Sequence, residues 1–277
     1  MNKILSTKLI ALMLVLAMAL TFAGCGKSPS SSEGTSSDSM SASSGVDDED
    51  DDADVVRIFQ IEKIDEGIKR NADTKGWLYI PNTEIDDAVV QAKDNNYYLR
   101  LTEDKEYSIF GCYFADFASN LGTRGDLSKN TIIYGHSDYK DEPTGKKFSQ
   151  LFHYAKDIDF VRNNPYIYFS TTEDDLVWQV FAVFYTHINF NYIQSNPSDA
   201  EFKNIISEAK ARSEYLIDVP VDENDKILTL STCTGLYNVA DKDNYRMVVM
   251  AKLMPSNEIS TNKMTMEVEP NPSPKKS

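Results

Sequence analysis

Three polar residues of the 277-residue chain lie at the ends of apolar runs, and together they could perform covalent catalysis. His136 ends the run NTIIYGH, and Gly135 before it leaves room beside the imidazole ring. Cys233 ends the run KILTLSTC, and Arg246 lies at the start of YRMVVMAKL. A cysteine attacks a carbonyl carbon only as the thiolate, and a neighbouring imidazole and guanidinium favour that form electrostatically. Each residue alone has a structural explanation, but the combination predicts a cysteine nucleophile if the three strand ends share one rim.

The other cysteines and histidines offer weaker alternatives. Cys112 lies inside a strand-like run, where a free thiol usually behaves as a small buried hydrophobe. A disulfide between Cys112 and Cys233 is permitted outside the cytoplasm, but two cysteines give little support for it. No Cys or His pair has the short separation that zinc sites use, so we expect no metal and no other cofactor. We expect His153 and His187 to be dispensable.

The elements that must position these residues are mostly strands. Eight short runs rich in β-branched and aromatic residues recur, separated by turn-forming clusters. They are residues 77–80, 88–91, 111–115, 131–134, 166–170, 176–186, 226–232 and 245–253. Eight such runs predict a mainly β fold with a closed antiparallel or mixed barrel.

Helices are predicted at three places. Residues 55–72 carry apolar side chains at helical spacing, which predicts an amphipathic helix that opens the domain. Between the sixth and seventh strands, Ser198 and Glu201 have the spacing of a capping box, and an apolar stripe follows them. Residues 147–154 (KFSQLFHY) show a weaker helical pattern.

The first 24 residues have the features of an export signal. Lys3 and Lys8 precede sixteen uncharged residues, 9–24, which is short for a membrane span of about 20 residues and suits a cleaved signal. The sequence FAGC, ending at Cys25, resembles a bacterial lipobox, whose cysteine is lipidated. Lipidation of Cys25 and an uncleaved membrane-anchoring segment both remain open, and both predict a domain on the extracellular face of the membrane.

The net charge of −15 argues against a nucleic-acid partner, because phosphate binding needs a surplus of Lys and Arg. Residues 25–54 are Ser-rich and end in an acidic tract, so they cannot bury enough apolar surface to fold and are predicted to be a tether. The folded domain is predicted over residues 55–253. Residues 254–277 lack periodicity and are predicted to be a flexible tail.

The three runs, in the order His, Cys, Arg, resemble the signatures of sortases, the cysteine transpeptidases of Gram-positive cell surfaces. The sequences GWLYIPNTEIDDAVVQAKDNNYYL and GCYFADF, with the helix between the sixth and seventh strands, are similar to class B in particular. The resemblance implies a sortase-like eight-stranded barrel. It also implies Cys233 as nucleophile, His136 as general acid and base, and Arg246 as the oxyanion-binding or substrate-positioning cation.

Substrate-binding residues are implied by the same resemblance. The matching positions are Asn95, Leu99, Tyr192, Ile193, Ser231 and Thr234. The chain departs from the family pattern at Thr234, which is often acidic in class B, and at the N-terminus, where sortases generally carry a spanning helix. The connection from Cys233 to Arg246 is expected to be longer than usual and to reshape one groove wall.

The implied activity is acyl transfer in two halves. The thiolate attacks the carbonyl of a Thr in a C-terminal sorting signal of the Asn-Pro-x-Thr type or of a related type that contains Pro-x-Thr, releases the downstream segment and holds the substrate as a thioester. An amine of the peptidoglycan cross-bridge then resolves the thioester. The expected partners are therefore surface proteins with such a signal, a peptidoglycan precursor or cross-bridge amine, and the membrane through the N-terminal anchor.

Two other functions are compatible with the sequence. Water competes with the amine for the thioester, so the chain could be a hydrolase of the same signal. It could also be a non-catalytic surface lipoprotein that binds peptide or cell wall in its groove. A papain-like protease is disfavoured because its Cys precedes its His and opens a helix, whereas His136 precedes Cys233 and both end strands. Direct contact and wider separation of these two groups are both compatible with the sequence.

Overall fold

The computed structural model describes residues 55–56, 60–138, 140–236, 244–257, 259–260, 263 and 265–275. The predicted export signal and tether, with Cys25, lie outside these residues. Within the described ranges, no helix has both the length and the apolar character that crossing a membrane requires.

Eight of the described strands form a closed barrel, which confirms the predicted fold class. The strands are β1 Val55–Val56, β2 Thr74–Tyr79, β3 Asp86–Val90, β4 Tyr113–Ala115, β5 Asn130–Tyr134, β6 Tyr166–Thr171, β7 Val177–His187, β8 Tyr215–Ile217, β9 Ile227–Cys233, β10 Tyr245–Leu253, β11 Ile259–Ser260 and β12 Val268–Pro270. The order around the barrel is β10-β7-β6-β2-β3-β4-β5-β9. The barrel is mixed, because β3–β4 and β5–β9 are parallel and the other pairs are antiparallel.

Helical structure is present at the three predicted places, and a further helix at Ile158–Asn163 and a 3₁₀ turn at Tyr97–Arg100 were not predicted. The helices are α1 Ile61–Arg70, α2 Phe152–Lys156, α3 Ile158–Asn163 and α4 Asp199–Arg212, with 3₁₀ turns at Tyr97–Arg100 and Lys147–Leu151. α4 lies between the sixth and seventh barrel strands, and both hydrogen bonds of its Ser198–Glu201 capping box are present. Its apolar stripe packs against β7, which explains why β7 is buried on nearly every residue and reads as a continuous apolar run.

Two elements are shorter than predicted. α1 ends before Asn71, whose backbone is extended and whose side chain donates to the Glu103 carbonyl at 2.9 Å. Val55–Val56 is a strand that pairs with β11, and not the first turn of a helix. β4 begins only at Tyr113, because Gly111 adopts a left-handed φ of 55° that ends strand geometry.

The segment predicted as a flexible tail differs from that prediction in part. Val268–Pro270 is strand β12 and pairs antiparallel with β8. The Val268 side chain is buried, and its carbonyl accepts from Arg162 Nε and Nη2 at 3.2 and 2.7 Å. The sequence pattern is too short to reveal this strand, which owes its place to tertiary contacts.

Candidate active site

The barrel topology brings the three predicted catalytic residues to one rim. β5 and β9 run parallel with Tyr134 opposite Ser231, so His136 and Cys233, each two residues further on, leave the sheet at the same end. β9 and β10 run antiparallel with Cys233 directly opposite Arg246. The three side chains therefore converge, as the sequence predicts.

A cavity of about 320 Å³ opens at this rim. It is lined by Asn95, Asn96, Leu99, Phe114, Tyr134, Gly135, His136, Ile193, Ser231, Thr232, Cys233 and Arg246. Seven of the nine residues predicted for catalysis or substrate binding are among them.

The other two, Tyr192 and Thr234, are fully buried and do not line the cavity. This differs from the prediction that they contact substrate. The Tyr192 hydroxyl lies 2.9 Å from Ser231 Oγ, and Thr234 Oγ1 donates to Asp141 Oδ2 at 2.7 Å. Tyr192 therefore supports the cavity wall at Ser231, and Thr234 fixes the chain just beyond the nucleophile.

Two hydrogen bonds join the two strand ends beyond the β5–β9 ladder. Ser137 Oγ donates to the Cys233 carbonyl at 2.6 Å, and the Gly135 N–H donates to the Ser231 carbonyl at 3.4 Å. The nucleophile and the histidine are thus held by a common framework.

Gly135 permits close packing directly before His136. A Cβ at this position would lie 2.7 Å from the Phe148 ring and 2.9 Å from the Tyr113 ring. The Phe148 N–H also donates to the His136 carbonyl at 2.9 Å. The space expected beside the imidazole is in fact occupied by these two aromatic rings.

The two cysteines that the structure describes differ in access. Both are free thiols; Cys233 is half-buried in the cavity, whereas Cys112 is fully buried. Burial raises the pKa of the Cys112 thiol far above its ordinary value. Cys112 is therefore a protonated core residue, as predicted, and the accessible sulfur is that of Cys233.

His136 is held by the 3₁₀ turn Tyr97–Arg100. Its Nε2 lies 2.7 Å from the Leu99 carbonyl oxygen and 3.3 Å from Arg100 Nη1. Burial and, more weakly, the Arg100 charge lower the pKa of His136 from its ordinary value of 6.5, against the opposing effect of the Leu99 hydrogen bond. The imidazole is therefore mostly neutral at pH 7.

Among the described residues, no hydrogen bond joins the Cys233 thiol to the His136 ring, whose Nε2 is engaged by Leu99. The two groups share the cavity without forming a direct pair. Of the two alternatives left open by the sequence, the described contacts favour separate groups.

Arg246 presents a half-buried guanidinium to the same cavity. Its Nη1 donates to the Tyr245 carbonyl at 2.8 Å. Because a guanidinium keeps its charge at neutral pH, Arg246 can stabilise an oxyanion that develops near Cys233.

The sequence interpretation missed Asp116, which organises one cavity wall. Its Oδ2 accepts from Asn95 Nδ2 at 2.7 Å and from the Tyr134 hydroxyl at 2.8 Å. The Phe117 N–H donates to Asn95 Oδ1 at 3.0 Å, so both ends of the Asn95 amide are held. A signal was present, because Asp116 directly follows a buried strand, as the three catalytic candidates end or begin one.

A second cavity, of about 670 Å³, lies outside this site. It is lined by Thr186, His187, Asn189, Phe190, Asn191, Asn204, Glu208, Arg212 and Tyr245. The remaining histidine, His153, stacks on Phe160. Neither His153 nor His187 is among the residues that line the cavity with Cys233. In the part of the chain described here, no three His, Cys, Asp or Glu side chains are arranged to hold a metal ion.

Comparison with known proteins points to one family. A family model for the Sortase domain matches residues 78–254. Sortase B of Listeria monocytogenes is 37% identical over 187 residues, which span 67% of this chain and 72% of that protein.

Solved structures agree with this similarity. The Staphylococcus aureus sortase B–substrate complex has a TM-score of 0.59 and 31% identity, covering 70% of this chain and 85% of the solved one. Sortase B complexed with triglycine has a TM-score of 0.60 and 30% identity, covering 70% and 86%.

Proposed function

The chain belongs to the sortase family and within it to class B, whose members are cysteine transpeptidases, and from this premise we propose its substrates and site residues. It cleaves a C-terminal sorting signal after Thr and transfers the upstream protein to an amine of a peptidoglycan cross-bridge. The observation that carries this proposal is the convergence of Cys233, His136 and Arg246 on one cavity.

The first half of the reaction is thioester formation. The Cys233 thiol gives its proton to His136, and the sulfur attacks the Thr carbonyl carbon. Arg246 stabilises the negative charge that develops on the carbonyl oxygen. The C–N bond then breaks, His136 returns the proton to the leaving nitrogen, and the substrate remains on sulfur.

The second half is transfer to the acceptor. The amine nitrogen attacks the thioester carbon and gives a proton to His136. The C–S bond breaks, and the Cys233 thiolate recovers the proton from the imidazolium. A lowered pKa keeps the His136 ring in the neutral form that can accept these protons at neutral pH.

Two similar structures support the substrate classes. One is a sortase B in complex with substrate and the other a sortase B in complex with triglycine. By analogy, a sorting peptide lies along the wall formed by Asn95, Leu99, Ile193 and Ser231, and a glycine-like amine is the acceptor.

The cellular place of the enzyme is proposed from the sequence. Either a lipid on Cys25 or an uncleaved N-terminal segment holds the domain at the extracellular face of the membrane. There it meets surface proteins that carry a sorting signal as they emerge.

Intact mass spectrometry of the full-length protein tests the proposal. Incubation with an Asn-Pro-x-Thr peptide is expected to give a covalent adduct in the native chain and in a His187→Ala control, but none in Cys233→Ala. Loss of turnover in His187→Ala, with turnover kept in His136→Ala, would contradict the assigned pair.

Product analysis with and without triglycine separates transfer from hydrolysis. Transfer gives a triglycine adduct of the peptide, whereas a hydrolase gives only the free acid. No adduct, together with no reaction of Cys233 with a thiol-directed electrophile, would instead indicate a protein that only binds its ligand.

A further inference from the structure

Two neighbouring groups of one turn meet the same nitrogen of His136. The Leu99 carbonyl oxygen lies 2.7 Å from Nε2, and Arg100 Nη1 lies 3.3 Å from it. Arg100 Nη1 also donates to the Ile109 carbonyl. A carbonyl can only accept and a guanidinium can only donate, so the two contacts make opposite demands on Nε2.

The distances decide between the two neutral forms of the ring. If Nε2 carries the proton, it donates to Leu99 with ordinary hydrogen-bond geometry, and Arg100 is a nearby charge. If Nδ1 carries the proton, the lone pairs of Nε2 and of the Leu99 oxygen face each other at 2.7 Å and repel. The hydrogen bond from Arg100 Nη1 that Nε2 could then accept is longer, at 3.3 Å. The first form is therefore favoured.

Gly111 lies close to the Leu99 carbonyl. Gly111 adopts φ 55°, and a Cβ there would lie 3.0 Å from the Leu99 oxygen. The Ser108 N–H donates to the Arg100 carbonyl at 3.0 Å, which folds the chain back against the turn. The acceptor that meets His136 is thus part of a closed loop and not a free chain end.

We propose that the Leu99 carbonyl keeps the permanent proton of His136 on Nε2, so that Nδ1 is the nitrogen that exchanges protons during catalysis. Leu99 is a positioning residue in this arrangement, and Arg100 acts beside it only as a positive charge that opposes a second proton on the ring. The location of the permanent proton is independent of the proposed function. The routes of the exchanged protons rest on that function. In the first half of the reaction, a proton passes from the Cys233 thiol to Nδ1 and then to the leaving nitrogen. In the second half, a proton passes from the acceptor amine to Nδ1 and then to the Cys233 sulfur.

The charges around the ring agree with this role. Arg100 approaches it from the 3₁₀ turn, while Arg246 on β10 and Cys233 on β9 line the same cavity. Among the described residues, no carboxylate is hydrogen-bonded to the ring. Arg100 and burial both lower the pKa of His136, which keeps Nδ1 unprotonated and ready to accept.

Nuclear magnetic resonance of full-length protein labelled with ¹⁵N-histidine tests the tautomer directly. The chain has three histidines, so a His136→Gln variant identifies the signals. Above the titration midpoint, Nε2 is expected at a pyrrole-type shift and Nδ1 at a pyridine-type shift. The reverse assignment, or an even mixture, would overturn the proposal whether or not the enzyme is active.

Arg100→Gln tests the guanidinium. Removing a positive charge beside the ring favours the imidazolium, so the His136 titration midpoint and the acid limb of kcat/KM are expected to move to higher pH together. Lys69→Gln on the exposed face of α1 removes the same charge elsewhere and is expected to move neither. An unchanged or lowered midpoint in Arg100→Gln refutes its part in the proposal.

Gly111→Ala tests the carbonyl without altering any side chain of the cavity. The new methyl group is expected to displace the Leu99 oxygen and to shift the tautomer signals of His136 toward a mixture. Gly125→Ala, whose Cβ would meet only an ordinary contact at 3.7 Å, is the matched control. Unchanged tautomer signals in a folded Gly111→Ala protein would show that the Leu99 carbonyl does not determine which nitrogen of His136 carries the proton.

Discussion

At the scale of single residues, His136 and Arg246 are each hydrogen-bonded to a backbone carbonyl. The His136 ring bonds to the Leu99 carbonyl, and Arg246 bonds to the Tyr245 carbonyl. Replacing one reactive side chain therefore leaves the anchors of the others in place. Single substitutions can report individual roles here more cleanly than in a directly linked triad.

Arg246→Lys is expected to lower kcat/KM for a sorting peptide about 10²- to 10³-fold. Lysine keeps the charge but loses the planar fork that can hold the backbone and an oxyanion at once. Lys252→Arg, near the other end of the same strand, is the control and is expected to leave kcat/KM unchanged. Turnover near the native rate in Arg246→Lys would remove this residue from the mechanism.

Gly135→Ala is expected to destabilise the fold by about 1–3 kcal/mol, because its methyl group overlaps the Phe148 ring. Urea unfolding measures this loss. Adding Phe148→Leu is expected to recover part of it by opening space; a double variant no more stable than Gly135→Ala alone would show that the strain lies elsewhere.

The sequence led to the three candidate residues because each lies where a buried strand begins or ends and because the order of the three runs resembles the sortase signatures. It did not indicate the contact between Arg100 and His136, because an exposed arginine at the end of a short turn has the sequence pattern of any surface charge. It misjudged the positions of Tyr192 and Thr234, since the family pattern gives the position of a residue in the chain but not which way its side chain faces. Only the folded contacts distinguish a cavity wall from its support.

At the scale of elements, α4 determines one side of the cavity. It covers the outer face of β7, and the connection between them carries Ile193 to the cavity. The start of α4 is fixed by its capping box, in which Glu201 Oε2 accepts from the Ser198 backbone N–H at 2.9 Å.

Ser198→Ala is expected to lower the free energy of unfolding by about 1 kcal/mol, because the cap of α4 is lost. The exposed Ser207 in the middle of the same helix provides the control, and Ser207→Ala is expected to cause no loss, since alanine favours helix. Denaturant titration compares the two. Equal stability of both variants would mean that the packing of α4 alone fixes its start.

The strands were more predictable than the helix limits. Runs rich in β-branched and aromatic residues marked all eight barrel strands, because most of these strands are buried along most of their length. The end of α1 depends on the Asn71 side chain reaching Glu103, and the start of β4 on the backbone of Gly111. Such long-range and conformational constraints leave little trace in a local pattern.

At the scale of the whole molecule, β12 ties the C-terminal segment to β8. Deleting residues 265–277 is expected to lower the melting temperature, because burial of Val268 alone contributes about 1.5–3 kcal/mol. No residue of the active-site cavity belongs to this segment, so kcat at low temperature is expected to stay unchanged. Glu269→Ala, which keeps the strand, controls for the loss of charge; calorimetry and a peptide assay measure the two effects.

The parallel ladder between β5 and β9 has a consequence for how the enzyme matures. It joins segments far apart in the chain, since the bonded pair Ser137 and Cys233 is separated by 96 positions. Closing so long a loop is entropically costly, and parallel pairings of distant segments form slowly. The sulfur therefore meets its imidazole only when this ladder forms, whereas Arg246 lies opposite Cys233 through the pairing of two strands that are close in sequence. The order in which the site assembles is expected to be guanidinium first and imidazole second.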